Sequence, residues 1–117
     1  MTSTFDLVTI TTHDTEALSG FYAAALGLVE VEREDGDRWI VLAEVDGRRR
    51  IGFQRGEDRP GSIHLDLRCP AEELADEVSR LVSLGARLSC PVRIEPYGQV
   101  ANLVDPAGNE LDLVAYA

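Results

Sequence analysis

Hydrophobic and polar positions alternate in short runs along this chain, and helical periodicity interrupts the alternation twice. Residues 5–12 (FDLVTITT) alternate and are rich in β-branched side chains, which predicts a strand. Leu18, Phe21, Tyr22, Ala25 and Leu26 then fall at i, i+3, i+4, i+7 and i+8, forming one apolar stripe of a helix. Thr12 or Asp14 is placed to cap its start, and Gly27 suits the left-handed position after its end. Strands are expected over 28–34, 38–45 and 49–54. Asp35-Gly36 supplies one turn between them, and Asp46-Gly47 a type I′ hairpin turn.

The segment 55–61 (RGEDRPG) is polar and rich in glycine and proline, as a linker is. The pattern then starts again. Residues 62–68 (SIHLDLR) alternate strictly. Pro70 is suited to the first position of a helix whose stripe is Leu74, Val78, Leu81 and Val82 and whose end is Gly85. Strands follow over 86–92, 98–104 and 110–115, the last two joined by the turn DPAGN. Both helices end in Leu-Gly, at Leu26-Gly27 and Leu84-Gly85. One domain, 1–117, is therefore expected, with module 1 at 1–54, a linker at 55–61 and module 2 at 62–117. Each module is a β-α-β-β-β unit, and the class is α+β.

A length of 117 residues suits a single core without disulfide staples. The net charge of −10 repels phosphate backbones and anionic lipid, so nucleic-acid and membrane-surface roles are disfavoured. All 11 basic residues are arginine, which excludes Schiff-base lysine chemistry and a P-loop. Cys69 and Cys90 form no CxxC pair and are read as small hydrophobes. The first residues lack a basic, apolar leader, and the expected location is the cytoplasm.

The helix end FYAAALGL, the run GFQ, the strand IHLDL and the closing ANLVDPAGNELDLV occur in an order that resembles the vicinal oxygen chelate superfamily, in its glyoxalase-like branch. The superfamily includes glyoxalases, bleomycin-resistance proteins and extradiol dioxygenases. The resemblance implies paired βαβββ modules that form an open, half-barrel mixed sheet around a cleft, with helices on the outer face. It also implies a homodimer. Metal-using members carry one ligand on each of the first, fourth, fifth and eighth strands. Here those positions are Leu7, Gly52 (or Gln54 after a two-residue shift), His64 and Asp112. Leucine and glycine offer no donor atom. His64 and Asp112 alone fall short of the three protein ligands usual for catalytic zinc. No cofactor is therefore expected, and a divalent metal is disfavoured; if one binds, His64 and Asp112 hold it.

Strand parity assigns the faces. Leu65, Leu67, Leu111, Leu113, Ile51 and Phe53 belong to the core side. The opposite face collects Thr9, Thr11, Arg50, Gly52, Gln54, His64, Asp66, Arg68, Glu110 and Asp112. A polar inner face is costly when dry, so it is expected to be wet or lined by ligand. Gln54, His64, Asp66, Arg68, Trp39, Tyr97 and Asp112 are the candidate ligand-binding residues. His64 and Asp112 are also the candidate acid/base pair. Alternatively His64 is a structural histidine bonded across the sheet, and Asp66 and Asp112 are partners of Arg68. His13 fits a rim or capping role. The expected function is small-molecule binding without a catalytic metal. The alternative is a lyase- or isomerase-type enzyme acting on a small carbonyl or enolisable substrate through His64.

Overall fold

The computed structural model describes Thr2 and residues 4–117. Its elements are β1 (Val8–Thr12), α1 (Thr15–Leu26), β2 (Val29–Glu34), β3 (Trp39–Ala43), β4 (Arg49–Arg55), β5 (His64–Arg68), α2 (Leu74–Leu84), β6 (Arg87–Leu88), β7 (Arg93–Glu95), β8 (Gly98–Val104) and β9 (Glu110–Tyr116). The chain divides into two compact units, the first ending at Asp58 and the second beginning at Arg59. The class is α+β, with two open mixed sheets and two helices.

The first unit has strand order β1-β4-β3-β2, with β1 parallel to β4 and the other pairs antiparallel. The side chain of Asp14 caps α1 by accepting from the Ala17 N–H at 3.0 Å, and Thr12 Oγ1 in turn accepts from the Asp14 N–H. Gly27 ends the helix at φ 67°, in the left-handed region that favours glycine. The apolar stripe of α1 lies on the sheet. Leu18, Phe21 and Tyr22 are buried with Ile10, Ile40, Leu42, Ile51 and Phe53, and Tyr22 stacks on Phe53 at 6.0 Å between ring centroids. The backbone N–H of His13 donates to Asp58, tying the start of α1 to the last residue of the unit.

The second unit repeats the plan. Its order is β5-β9-β8-β6, with β7 also paired to β8, and β5 is parallel to β9. Leu74 and Leu81 of α2 are buried, as are Leu103, Leu111 and Leu113 of the sheet. Among the described residues no helix is long and apolar enough to cross a membrane.

Four details differ from the sequence reading. Of the strand expected over 86–92 only Arg87–Leu88 (β6) forms, and a further strand that was not expected, β7 at Arg93–Glu95, also runs antiparallel to β8. Pro91 has no N–H to give the ladder, so pairing stops before it and resumes after it. The helix expected to open at Pro70 instead begins at Leu74, after a 3-10 turn over Ala71–Glu73. Val82 is exposed, leaving Leu74 and Leu81 as the buried stripe. Consecutive positive φ angles occur at Asp35 (52°) and Gly36 (70°), whereas at Asp46-Gly47 only Gly47 is positive. That second hairpin is a turn closed by Gly47 N–H to Glu44 O, followed by a left-handed glycine, not a type I′ turn.

Candidate functional site

The second unit assembles most of the candidate residues on one sheet face. β5 and β9 run parallel, with His64 opposite Glu110 and Asp66 opposite Asp112. Strand alternation turns all four away from the side on which Leu111 and Leu113 are buried. The turn at 105–109 fixes where β9 starts. Asp105 is buried and accepts from the N–H groups of Ala107 (2.8 Å) and Asn109 (3.0 Å), and from Asn109 Nδ2 (3.1 Å).

His64 Nε2 lies 2.8 Å from Asp112 Oδ2, 3.2 Å from Asp66 Oδ1 and 3.3 Å from Glu110 Oε2. The His64 side chain is 50% exposed and that of Asp112 only 10%, so the imidazole is accessible while its main partner is fixed. The hydrogen bond to Asp112 raises the His64 pKa above its usual value; Glu110 and Asp66 add to this by charge, against the opposing effect of burial. Asp112, by hydrogen bond and by repulsion, likewise pushes the Glu110 carboxyl up. The imidazole thus faces acidic neighbours that favour its protonated form.

The sequence reading missed Asn102. It sits opposite Asp112 on β8, and its Nδ2 donates to Asp112 Oδ1 at 2.8 Å. The signal was present: counting equal steps outward from the DPAGN turn pairs Val104 with Glu110 and Asn102 with Asp112. Arg68 does not pair with Asp66 or Asp112 among the described residues. Its guanidinium lies over the Tyr116 ring, 5.4 Å from the centroid. Tyr97 packs against Tyr116 at 6.3 Å, at the end of β9 opposite to Glu110. Tyr97 and Arg68 therefore form a separate aromatic and cationic cluster on the second sheet. A concavity of about 370 Å³ opens beside it, where Cys69 meets Glu73, Glu77 and Arg80. Burial and the nearby carboxylates raise the Cys69 thiol pKa, which suits a structural cysteine and not a nucleophile.

The first unit presents Trp39, Gly52 and Gln54 on the sheet face away from Phe53. Trp39 pairs with Gln54 and Val41 with Gly52, so the indole is a diagonal neighbour of the glycine. It lies so close that a Cβ at position 52 would be 2.3 Å from Cη2. Trp39 Nε1 donates to Glu32 Oε2 at 2.7 Å, and Arg49 binds the other Glu32 oxygen at 2.7 Å. These contacts, led by Arg49, hold the Glu32 pKa below the usual carboxylate range. Parity had put Arg50 on this face. A bulge leaves Arg50 unpaired between Ile51 and Arg49 and brings Arg49 round to bond Glu32.

The fold's metal can be tested against these side chains. In the first unit, Leu7 offers only hydrocarbon, and at Gly52 the space for a ligand side chain is taken by the Trp39 indole. Leu7 and Gly52 therefore offer no donor, and even with Gln54 in place of Gly52 the four-position set is incomplete. The second unit does bring ligand atoms of His64, Asp66 and Asp112 within 4.8 Å of one another, a group able to hold a cation.

Two units that each open on a strand and a helix and continue into a mixed sheet, the second with one extra short strand, are consistent with the paired βαβββ modules of the vicinal oxygen chelate class. Residues 7–114 match the model of the glyoxalase-like domain family, and the chain belongs to that family. Solved structures agree in fold. A glyoxalase/bleomycin resistance protein/dioxygenase family enzyme from Burkholderia phytofirmans is 22% identical, with TM-score 0.79 over 96% of this chain and 98% of that one. A glyoxalase-related enzyme from Fulvimarina pelagi is 24% identical, with TM-score 0.75 over 97% and 88%. The fosfomycin resistance protein FosX from Listeria monocytogenes, complexed with Mn(II) and 1S,2S-dihydroxypropylphosphonic acid, is 18% identical, with TM-score 0.79 over 100% and 93%. No curated protein matches the sequence significantly.

Proposed function

We propose that this protein binds a small organic molecule on the polar sheet face of its second unit, centred on His64 and Asp112, and does so without a catalytic metal. One observation carries the reading: a half-exposed imidazole whose Nε2 is held 2.8 Å from the largely buried Asp112 carboxylate, with Asp66 and Glu110 close by. Such a face offers one N–H donor and several acceptors. It favours a ligand bearing hydrogen-bond donors or positive charge, in keeping with the net charge of −10. It disfavours phosphonates such as the ligand seen in FosX, which would meet carboxylates with no cation between. The working form is proposed as a homodimer.

A thermal-shift screen tests this. A panel of planar and cationic metabolites and antibiotics is compared with fosfomycin, with and without Mn²⁺, Zn²⁺ or Ni²⁺. A ligand at a hundredfold excess over its Kd stabilises the fold by about 2.7 kcal/mol. The expected result is a ligand shift that needs no metal and disappears in His64→Ala. Stoichiometric metal in the purified protein, with a metal shift lost in His64→Ala, overturns the metal-free reading. Native mass spectrometry showing only the 12.8 kDa species overturns the dimer.

The His64–Asp112 pair favours one second reading, a lyase- or isomerase-type enzyme. A carboxylate that fixes one imidazole nitrogen leaves the ring able to take and return a proton beside a carbonyl. Exchange of substrate α-protons with deuterated solvent, lost in His64→Ala, separates catalysis from binding.

A further inference from the structure

The polar face of the second unit separates its charges. At one end of the parallel pair β5 and β9 stand His64, Asp66, Glu110 and Asp112. Their three carboxylates outnumber the one imidazole, so this end is negative whichever form His64 takes. Two residues beyond Asp66, on the same face, comes Arg68, opposite Val114. Its guanidinium does not turn back to Asp66. It reaches onward to Tyr116 and lies 5.4 Å from the ring centroid. Tyr116 follows Asp112 by four residues on β9, roughly 13 Å at the rise of a strand.

Arg68 has donors to offer at that second end. Among the described residues no acceptor bonds its guanidinium, not even Glu73 or Asp76, which line the adjoining concavity with it. The Tyr116 ring steadies the positive charge but accepts no conventional hydrogen bond, so the planar fork of N–H groups remains available to a carboxylate. The other arginines of this face are placed differently. Arg93, opposite Val100, is engaged by Asn102 and Glu95. Arg87, opposite Val104, stands at the far edge of the sheet, three strands from His64. Tyr97 and Tyr116 are 50% and 56% exposed, which leaves aromatic surface beside Arg68.

We propose that this face takes an elongated zwitterion, whose ammonium or amidinium lies among Asp66, Glu110 and Asp112 and whose carboxylate is received by Arg68 beside Tyr116. The inference rests on the proposed binding role of the face and adds its second pole. A simple cation uses only the acidic end. A short zwitterion cannot reach from one end to the other.

Straight-chain ω-amino acids of increasing length, each compared with the alkylamine of equal length, test this by amide chemical-shift titration of nitrogen-15-labelled protein. In the wild type the ω-amino acid should gain over its alkylamine only once it is long enough, and then by about tenfold in Kd, the worth of one charge-assisted contact. Arg68→Gln should abolish that advantage while leaving alkylamine affinity unchanged, and Arg68→Lys should keep part of it. An advantage absent at every length, one that persists in Arg68→Gln, or failure of the whole series to bind overturns the inference. An Arg68-dependent advantage that His64→Ala leaves intact keeps the inference and removes His64 from the proposed function. A His64-dependent ligand in the thermal-shift panel, with no ω-amino acid advantage, removes the inference alone.

Discussion

The distal edge of the Trp39 indole occupies the space that a side chain on Gly52 would need, the nearest ring carbon standing 2.3 Å from the position of a Cβ. Trp39 is fixed there by its bond to Glu32, and Glu32 by Arg49. Gly52→Val should therefore destabilise the protein by about 1–3 kcal/mol through overpacking. Trp39→Ala should remove most of that penalty, so the double variant should unfold closer to Trp39→Ala than additivity allows. Urea unfolding of the four proteins checks this as a double-mutant cycle. Strict additivity would show that the two residues do not share the space.

The environment of His64 makes stability depend on pH. Its folded pKa lies above the unfolded value of 6.5, first through the hydrogen bond to Asp112. The folded state therefore binds the proton more tightly. The contribution is complete below pH 6.5 and is lost as pH rises through the folded value. Glu110 is also raised, from 4.5, so its share has the same sign in a lower window and is lost as pH rises through its own folded value. The urea midpoint of the wild type should fall between about pH 6 and about pH 8, and that slope should flatten in His64→Gln. An unchanged slope in His64→Gln would falsify the assignment.

Much of this site could be read from alternation alone. SIHLDLR and NELDL each put polar residues on one face, and a parallel pairing of the two strands brings His64, Asp66, Glu110 and Asp112 together. The lack of donors at Leu7 and Gly52 was equally visible. What fills the space at Gly52 was not, because Trp39 reaches it diagonally across a strand pair whose register no local pattern states. Arg49 and Arg50 exchanged roles for a related reason: a bulge shifts parity by one residue, and three consecutive arginines give no clue to where it falls. Asn102 escaped because it looks like an ordinary strand residue until the hairpin is counted outward from its turn.

Gly98 combines φ 144° with a close approach to the neighbouring strand, since a Cβ there would stand 2.2 Å from the Ala115 carbonyl oxygen. Backbone cannot swing aside as a long side chain can. Gly98→Ala should destabilise by about 1–3 kcal/mol and loosen the Tyr97–Tyr116 contact. Hydrogen exchange should then rise at Ala117, whose N–H donates to the Tyr97 carbonyl, before it rises at Leu111. Uniform exchange along β9 would refute this local account.

Asp105 lies outside the polar face but governs it. Its buried carboxylate accepts from two backbone N–H groups and from the Asn109 side chain, and the backbones of Asp105 and Asn109 bond each other at 2.8 Å. These contacts fix the residue at which β9 begins, and with it the alternation that sends Glu110 and Asp112 toward His64. Asp105→Ala strands at least two inward-facing N–H groups, at a cost of about 2–4 kcal/mol. Asp105→Asn keeps one acceptor oxygen and should cost less. The informative readout is the site itself: if the turn sets the register, Asp105→Ala should shift the His64 ring signals as well as lower the unfolding temperature. A loss of stability with His64 signals unmoved would show that β9 holds its register through its pairing with β5 and β8 alone.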